Sequence, residues 1–394
     1  MISLTAIIFG TVGMATYQFL KVPPKESDIL TVINDVNRAL DWISDDGTMA
    51  QYFAGANPRL SIWGIFYRTT YTNGTAQYNT IIYKHDSENG WLIREEWVGG
   101  EYEPVSLSHP VAFYIDDYDD VTFVLQAGNL VEATVKATVD SLDGQVTEER
   151  TRYIHLNAQP FTYGYAVAAA ASAAEVSPDP SIDIHEIGVT IQGDVRSNGD
   201  IAIRGTNHTI TGEAYLSGDW IVNSPLEHNL PDETFVDPFA AIWPLDEDDF
   251  LPYTFTFESD VILDNEAEVW EDDGITLKTG IYWTDGEMSL GRSGASGVVT
   301  LIGNQVFIDV GNSNLMAFAH GVLLYGTRDT FPYSVAIDAS PVKDSIWSGI
   351  LYAPHGKVTL AGTRVTLFGA VAAQVFDVSS VEGELVGELL IVFQ

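Results

Sequence analysis

The sequence predicts a mainly β protein that carries one long N-terminal α-helix. Residues 1–20 are apolar and uncharged, and residues 26–46 repeat apolar side chains at helical spacing. From Leu60 onward, segments rich in Ile, Val, Tyr, Trp and Thr alternate with turn residues, and after residue 184 these segments become shorter and glycine separates them. The chain therefore divides into a helical segment (1–56), a first β domain (57–160), a linker (161–183) and a second β domain (184–394).

The composition limits the partners of this chain. The protein has 394 residues, with 55 Asp and Glu against 18 Lys and Arg, which gives a formal net charge of −37 at pH 7. Such a charge repels nucleic acid and anionic lipid headgroups, so neither is predicted as a ligand of the body. Because salt screens self-repulsion, the composition suits high ionic strength. The sequence contains no cysteine, which excludes disulfides, thiol catalysis and thiolate metal sites.

The first twenty residues predict an apolar helix. Met1–Leu20 carries no charge, and as a helix it would be about 30 Å long, the thickness of a bilayer core. The first basic residues, Lys21 and Lys25, follow the apolar run instead of preceding it. In an intact precursor this charge order would place the body in the cytoplasm. Removal of a basic leader before Met1 would reconcile the order with an extracellular body; the alternative is an ordinary signal-anchor helix.

A second helical pattern follows a pair of prolines. Pro23 and Pro24 cannot lie inside a regular helix without the loss of a hydrogen bond, so the two halves join through a kink or an unwound stretch. The pattern over residues 26–46 is amphipathic, and Gly47 can end it. Its apolar positions are Ile29, Val32, Ile33, Val36, Leu40 and Ile43.

This arrangement of residues 1–46 resembles the N-terminal helix of type IV pilins, in which an apolar half, a proline break and an amphipathic half follow one another. The resemblance implies a membrane-held precursor, cleavage by a prepilin peptidase, a pilus assembly machinery, and apolar halves that bundle into a filament core. In the family a glutamate at the fifth mature position pairs with a neighbouring amine, whereas this chain has Thr5. The resemblance assigns to the assembly helix Met1, Ile2, Leu4, Ile7, Ile8, Phe9, Val12, Phe19 and Leu20, and to the helix break Pro23 and Pro24.

The alternating pattern of the first β domain, residues 57–160, predicts about six or seven antiparallel strands. Asn73-Gly74 and Asn89-Gly90 mark two of its turns. The order of one long helix followed by such strands resembles the globular head of pilins. We therefore expect a pilin-like antiparallel head that buries the amphipathic half of the helix.

The sequence pattern of the second β domain predicts a coil of short parallel strands. An alanine-rich linker precedes it, and Gly349, Gly356, Gly362 and Gly369 then recur at intervals of seven, six and seven residues. Glycines at regular corners suit strands that stack turn upon turn. The run from Gly349 resembles the β-helical regions of bacterial pilus-associated surface proteins. The alternative for this domain is a β-sandwich, and residues 225–273 are predicted to form an ordered acidic insertion.

No catalytic motif emerges from the sequence, and neither an enzyme activity nor a cofactor is predicted. The chain lacks HExxH, GxSxG and P-loop motifs. Carboxylates cluster at residues 116–120, 246–249 and 271–273, but without the spacing of a calcium-binding loop, so no metal is assigned. Asn73 and Asn207 match the acceptor pattern for N-glycosylation.

These observations favour a structural subunit of an extracellular, type IV pilus-like filament. In this hypothesis identical subunits form a helical homo-oligomer through their apolar helices, because bundling removes apolar surface from water. The alternatives are a membrane-anchored or filament-tip β-helical adhesin and an anchored carbohydrate-active enzyme.

Overall fold

The computed structural model describes residues 27–50, 52–54, 61–72, 75–98, 106–126, 130–141, 144–156, 165–172, 179–185, 188–223, 228–238, 245–328, 334–378 and 389–392. Within these ranges the protein is mainly β, with one α-helix and a large parallel sheet. This coarse prediction from the sequence is confirmed. None of the described helices is long and apolar enough to span a bilayer.

Helix α1 covers residues 27–49 of the described chain. Its apolar stripe is buried against β-strands, as expected when apolar residues recur every three or four positions. The helix ends beside Gly47, whose carbonyl accepts a 3.1 Å bond from the Ala50 amide. The buried apolar residues of the stripe are Val32, Val36, Ala39, Leu40 and Ile43.

Two antiparallel sheets follow the helix and pack around it. The five-stranded sheet contains β1 (Tyr52–Ala54), β2 (Ile62–Thr72), β3 (Thr75–Asp86), β4 (Trp91–Val98) and β5 (Ser106–Ala112). The three-stranded sheet contains β6 (Val121–Gln126), β7 (Leu130–Ser141) and β8 (Gly144–His155). Alternate residues of β7 are buried because one face of this sheet covers the helix and the other meets solvent.

The five-stranded sheet is a middle layer that is buried on both faces. Residues of β2 and β3 alternate between the core shared with α1 and the core of the parallel sheet. On the second face the Thr80 hydroxyl donates a 2.5 Å bond to the Phe318 carbonyl, and the Trp97 ring meets the Phe318 ring edge-on at 5.7 Å. The side chains facing the helix include Trp63, Phe66 and Tyr83, and those facing the parallel sheet include Ile65, Tyr67 and Ile82.

The remaining strands form a 19-stranded sheet in which every pairing between named strands is parallel. We call this sheet the parallel stack. Its strands are β9 (Val167–Ala169), β10 (Ile182–Ile184), β11 (Val189–Gln192), β12 (Val195–Ser197), β13 (Ile201–Ile203), β14 (Thr209–Ile210), β15 (Ala214–Leu216), β16 (Trp220–Val222), β17 (Glu233–Phe235), β18 (Phe255–Phe257), β19 (Val261–Ile262), β20 (Gly280–Thr284), β21 (Glu287–Leu290), β22 (Ser296–Gly303), β23 (Gln305–Ile308), β24 (Asn314–Met316), β25 (Val322–Gly326), β26 (Val335–Val378) and β27 (Leu389–Val392).

Pairing in the parallel stack follows three ladders that the chain visits in turn. In the N-terminal half, partners lie 19 residues apart, as in Ile182 with Ile201 and Val195 with Ala214. Ladder A runs through β18, β20, β22, β25, β26, β9, β12, β15 and β17. Ladder B runs through β19, β21, β23, β26, β10, β13 and β16. Ladder C runs through β22, β24, β26, β27, β11, β14 and Asn229.

Strand β26 is a continuous extended segment that passes through ladders A and C twice. Gly349 and Gly369 occupy the same position in its two passes, so the three glycine intervals seen in the sequence together make one turn. A Cβ on Gly369 would overlap the Gly349 carbonyl, and both residues have positive φ, 156° and 138°. Close approach and backbone conformation therefore both require glycine here.

The two halves of the parallel stack meet at a joint between distant parts of the chain. Strands β26 and β27 pair in parallel with β9, β10 and β11. The first half begins at this joint and ends at β17, while the second half begins at β18 and returns to the joint. Strand β26 contributes two layers to ladder A, which therefore has ten successive layers. Its two ends lie about 43 Å apart at the usual spacing of parallel strands.

Residues 236–238 and 245–254, which we together call the strap, contact the side of the stack. It lies within the predicted acidic insertion, residues 225–273, which also contains strands β17, β18 and β19 of the stack. In chain order its contacts are the Val236 carbonyl with Ser217, the Asp237 carbonyl with Arg196, the Leu245 carbonyl with Tyr352, the Asp249 carbonyl with His320, the Phe250 ring with Tyr325, and the Tyr253 ring with Trp283.

Candidate assembly interface

The residues assigned from the sequence to the assembly helix and to the helix break all fall outside the described ranges. Asn207, one of the two predicted glycosylation sites, is exposed at a corner of the stack and has a positive φ of 60°. An exposed asparagine on a turn is accessible to a modifying enzyme. The predicted residues outside the described ranges are Met1, Ile2, Leu4, Ile7, Ile8, Phe9, Val12, Phe19, Leu20, Pro23, Pro24 and Asn73.

A buried ion pair joins the C-terminal turn of α1 to the five-stranded sheet. Asp46 and Arg94 are 2% and 3% exposed. The Arg94 guanidinium donates from Nε and Nη2 to the two Asp46 carboxylate oxygens at 2.7 and 2.8 Å, which is a bidentate geometry. The Tyr83 hydroxyl donates a further 2.6 Å bond to Asp46. Because both charges are buried, removal of either would leave the other uncompensated.

The surroundings of this ion pair keep Arg94 charged. Burial opposes the charge of Arg94, but the hydrogen bonds and negative charge of Asp46 outweigh it and raise the pKa of Arg94. Burial, followed by the charge of Asp46, raises the pKa of the Tyr83 hydroxyl, which therefore stays protonated as a donor. Glu96 also accepts a 3.1 Å bond from Arg94 and pairs with Arg68. The cluster thus fixes the rotation of α1 on the sheet.

A second polar contact fixes the middle of α1 to strand β5. Asp35 is buried and accepts a 2.7 Å bond from Arg38 and a 3.3 Å bond from the Phe113 amide. Burial raises the pKa of Asp35, while the Arg38 charge opposes the rise. Arg38 also donates to the Val111 carbonyl at 2.8 Å. The helix is therefore held at two points, at Asp35 in its middle and at Asp46 in its C-terminal turn.

The three-stranded sheet holds the opposite flank of the helix. Arg150 donates a 2.7 Å bond to the Asn37 side chain. Arg152 donates to the Leu40 carbonyl at 3.0 Å and to the Asp41 carboxylate at 2.7 Å. Together with the apolar stripe, these contacts enclose α1 between two sheets on all but one side.

The remaining side of α1 is an exposed polar stripe. Leu30, Trp42 and Met49 are the large apolar residues that it exposes. A shallow groove of about 350 Å³ runs along the stripe. It is lined by Asn34, Asn37, Arg38, Asp41, Trp42 and Asp45. Such a surface can make hydrogen bonds and ion pairs with a neighbouring molecule without loss of the helix's own packing.

Carboxylates of the acidic clusters accept hydrogen bonds from nearby backbone amides. Asp246 and Asp249 form a reciprocal cap on a short 3-10 turn in the strap. Asp273 accepts bonds from the Ile275 and Thr276 amides at 2.9 and 2.8 Å, and these bonds hold a turn. Among the described residues, no group of three or more His, Asp or Glu is placed to hold a metal ion.

Two features of the fold were not predicted from the sequence, although each has a signal in it. Asp35 and Asp46 fall on the apolar stripe of the second helical pattern, where a carboxylate indicates a buried partner. Thr190–Asp200 (TIQGDVRSNGD) and Thr209–Asp219 (TITGEAYLSGD) repeat one pattern at a spacing of 19 residues. That spacing is the register of the N-terminal half of the stack.

Comparison with known proteins gave no relatives: no protein-family model, no curated protein and no solved structure matches this chain.

Proposed function

We propose that this chain is a structural subunit of an extracellular, type IV pilus-like filament that assembles through residues 1–20. The observation that carries the proposal is the attachment of α1. The helix that follows the uncharged segment is fixed to the body by a bidentate Asp46–Arg94 pair and by its apolar stripe. A body held so firmly on its helix is suited to display on a filament whose core is made by that helix.

The driving force for assembly is the burial of apolar surface. Residues 1–20 contain no charged side chain, and bundling of such segments removes apolar area from water or replaces lipid contacts with protein contacts. The body then faces the medium, where its charge of −37 keeps neighbouring surfaces hydrated. No catalytic step belongs to this function. The partners are identical subunits, the membrane before assembly, a prepilin peptidase and a pilus assembly machinery.

We infer that the two β parts of the body are a pilin-like head and a β-helix. The antiparallel sheets around α1 support the first inference, because they bury the apolar stripe of the helix as a pilin head does. The three parallel ladders support the second, because a chain that visits three ladders in a constant order stacks as a coil. A β-sandwich would instead pair antiparallel strands within each of two sheets.

The test is isolation of sheared surface filaments, followed by electron microscopy and mass spectrometry of the N-terminal peptide. We expect uniform filaments composed mainly of this chain, with Met1 as the first residue. Ile8→Asp should abolish filaments, because it places a charge in the apolar core. Ile346→Asp, at an exposed position on the stack, is the matched control and should leave filaments intact.

A chain that stays in the membrane fraction and is absent from filaments would contradict the pilin function. That outcome would favour a membrane-anchored adhesin, in which the parallel stack is the binding module. Detection only at filament ends by immunogold labelling would instead favour a filament-tip adhesin.

A further inference from the structure

Two histidines occupy equivalent positions in successive layers of ladder C. Thr190 pairs with Thr209, and Thr209 forms a parallel bridge with Asn229. His208 and His228 come directly before two of these register partners, so they lie one layer apart. Their rings stack with centroids 5.0 Å apart and an angle of 23° between the ring planes. We call these two residues the histidine pair.

Each ring of the histidine pair makes the same two hydrogen bonds with the backbone. Nδ1 of His208 accepts a 3.3 Å bond from the Val189 amide of the preceding layer. Nδ1 of His228 accepts a 3.3 Å bond from the His208 amide, again one layer before. On the other side of its ring, Nε2 of His208 lies 2.7 Å from the Arg204 carbonyl oxygen. Nε2 of His228 lies 2.8 Å from the Asn223 carbonyl oxygen.

These backbone partners determine the protonation state of both rings. A carbonyl oxygen only accepts, so Nε2 carries the proton, and Nδ1 keeps the lone pair that accepts the amide. Each ring is therefore neutral and in the Nε2–H tautomer. A proton added to Nδ1 would face the N–H of the preceding layer, so the bond between the two layers would be lost and the amide would be left unpaired. Protonation of both rings would also bring two positive charges together.

Burial favours the neutral form of His208. This side chain is 1% exposed, whereas His228 is half-buried. Burial lowers the pKa of His208, the bond to the Arg204 carbonyl opposes this shift, and the charge of His228 lowers the pKa further. Because the folded-state pKa lies below the ordinary value of 6.5, the stabilisation by the neutral ring is present above pH 6.5 and is lost as pH falls.

The charged side chains near the histidine pair interact with one another in the layer before it. The Arg204 guanidinium lies 3.1 Å from Nε2 of His185 and 3.5 Å from the Asp183 carboxylate. His185 itself lies 2.6 Å from that carboxylate. The strands of the surrounding layers, β11, β13, β14 and β16, contain no charged residue. Within the described part of the chain, His228 is therefore the titratable side chain that acts on the charge of His208.

We propose that the histidine pair is a pH-sensitive latch that holds the layers of β14 and Asn229 on β11 and releases them when its rings are protonated. After loss of the two Nδ1 bonds, only ladder bonds such as that from the Asn229 amide to the His208 carbonyl, 2.8 Å long, hold this corner. The latch makes the stability of these layers depend on pH in a range where the rest of the stack is unchanged. It does not involve residues 1–20, so its test is independent of whether filaments form.

The first experiment measures amide hydrogen exchange of the full chain at about pH 7.5 and about pH 5.5, with exchange times corrected for the pH dependence of the chemical step. Both values lie above the pKa of His320, about 4. We expect the protection of the Val189 and His208 amides to fall about tenfold, because at one pH unit below 6.5 a released ring is mostly protonated. Strands β21 and β23, which contain no histidine, should keep their protection. Unchanged protection of the two amides overturns the proposal.

Glutamine variants separate the histidine pair from other titrating groups, because glutamine keeps a hydrogen-bonding amide but does not titrate. His208→Gln should remove the pH dependence of exchange at the Val189 amide. His228→Gln should remove it at the amide of residue 208. His185→Gln, directly after β10, and His355→Gln, exposed on β26, are the matched controls and should leave both amides as pH-dependent as in the natural chain.

The proposal is overturned if the pH dependence survives in both His208→Gln and His228→Gln, or if a control variant removes it. Glu227 precedes His228 in the sequence, and loss of the pH dependence in Glu227→Gln would show that a carboxylate titrates instead of a ring. Circular dichroism establishes that each variant is folded. If a variant does not fold, NMR of the natural chain with isotope-labelled histidine decides: His208 should be in the Nε2–H tautomer at neutral pH, and an Nδ1–H tautomer overturns the proposal.

Discussion

At the scale of single residues, buried charges distinguish this protein from an ordinary β-rich body. Asp46 and Arg94 lie between helix and sheet, where water cannot replace a lost partner. Other ion pairs, such as Arg364 with Asp344, lie at the surface, where solvent screens the two charges. Loss of a buried ion pair should therefore lower the free energy of unfolding far more than loss of an exposed one.

Substitution of Arg94 by Met should strongly destabilise the protein. The change leaves the Asp46 carboxylate buried without its bidentate partner, and such losses cost about 3–5 kcal/mol. Arg364→Met, which removes an exposed pair, should cost about 0–1 kcal/mol. Urea unfolding measured for both variants checks the prediction. Equal costs would mean that the Asp46 site is hydrated and does not anchor the helix.

A second prediction concerns His320, which donates a 3.2 Å bond from Nε2 to the Asp249 carbonyl of the strap. Burial lowers the pKa of His320 from 6.5 to about 4, although the bond to Asp249 opposes this shift. Because the folded-state pKa lies below the unfolded value, the neutral ring stabilises the fold. This stabilisation is present above pH 6.5 and is lost as pH falls towards about 4.

The expected slope is up to about 1.4 kcal/mol per pH unit for this one group. Between pH 7 and pH 5, urea unfolding should show a loss of stability about 2 kcal/mol larger in the natural protein than in His320→Gln. His208, whose pKa is also lowered by burial, titrates in both proteins and cancels in the comparison. Parallel pH profiles of the two proteins would show that His320 is not buried in its neutral form.

At the scale of elements, the strap adds side contacts to a stack whose two halves already pair at their joint. One fully buried ring of the strap, Phe250, packs between His320 and Tyr325. The next residue, Leu251, is half exposed. Adjacent positions of one segment therefore offer a matched pair for a test of its attachment.

Phe250→Ala should release the strap and destabilise the protein by about 3–5 kcal/mol, because it leaves a cavity the size of an aromatic ring. Leu251→Ala should change the free energy of unfolding by less than about 1 kcal/mol. Limited proteolysis should cut the first variant within residues 236–254 before any global unfolding. Cleavage of both variants at the same rate would indicate that the strap is not held through Phe250.

At the scale of the whole molecule, the charge of −37 opposes the compact state by self-repulsion. Salt screens this repulsion, so the Tm should rise as NaCl increases from about 0.02 to about 0.5 M. A rise of about 2–4 °C corresponds to about 1 kcal/mol in a large domain. Differential scanning calorimetry checks it, with sucrose at equal osmolality as the uncharged control. A Tm that is flat or falling with NaCl would contradict the prediction.

The sequence by itself determined the coarse architecture, because hydrophobic period and turn chemistry are local properties. Helical spacing at Val32, Val36 and Leu40 predicted the helix, and glycines at corner spacing, such as Gly349 and Gly369, predicted stacked parallel strands. The period of apolar residues, 3.6 in a helix and 2 in a strand, involves only neighbouring positions, so it can be recognised in a single sequence.

Only the tertiary structure decided which distant segments meet. No local pattern indicates that Asp46 pairs with Arg94, that β26 and β27 dock on β9, β10 and β11, or that one acidic segment forms both ends of the stack. These contacts depend on which strands stack on one another in the folded chain. Long-range pairing is chosen by the energy of the assembled layers, and a stretch of sequence read alone contains only one side of each contact.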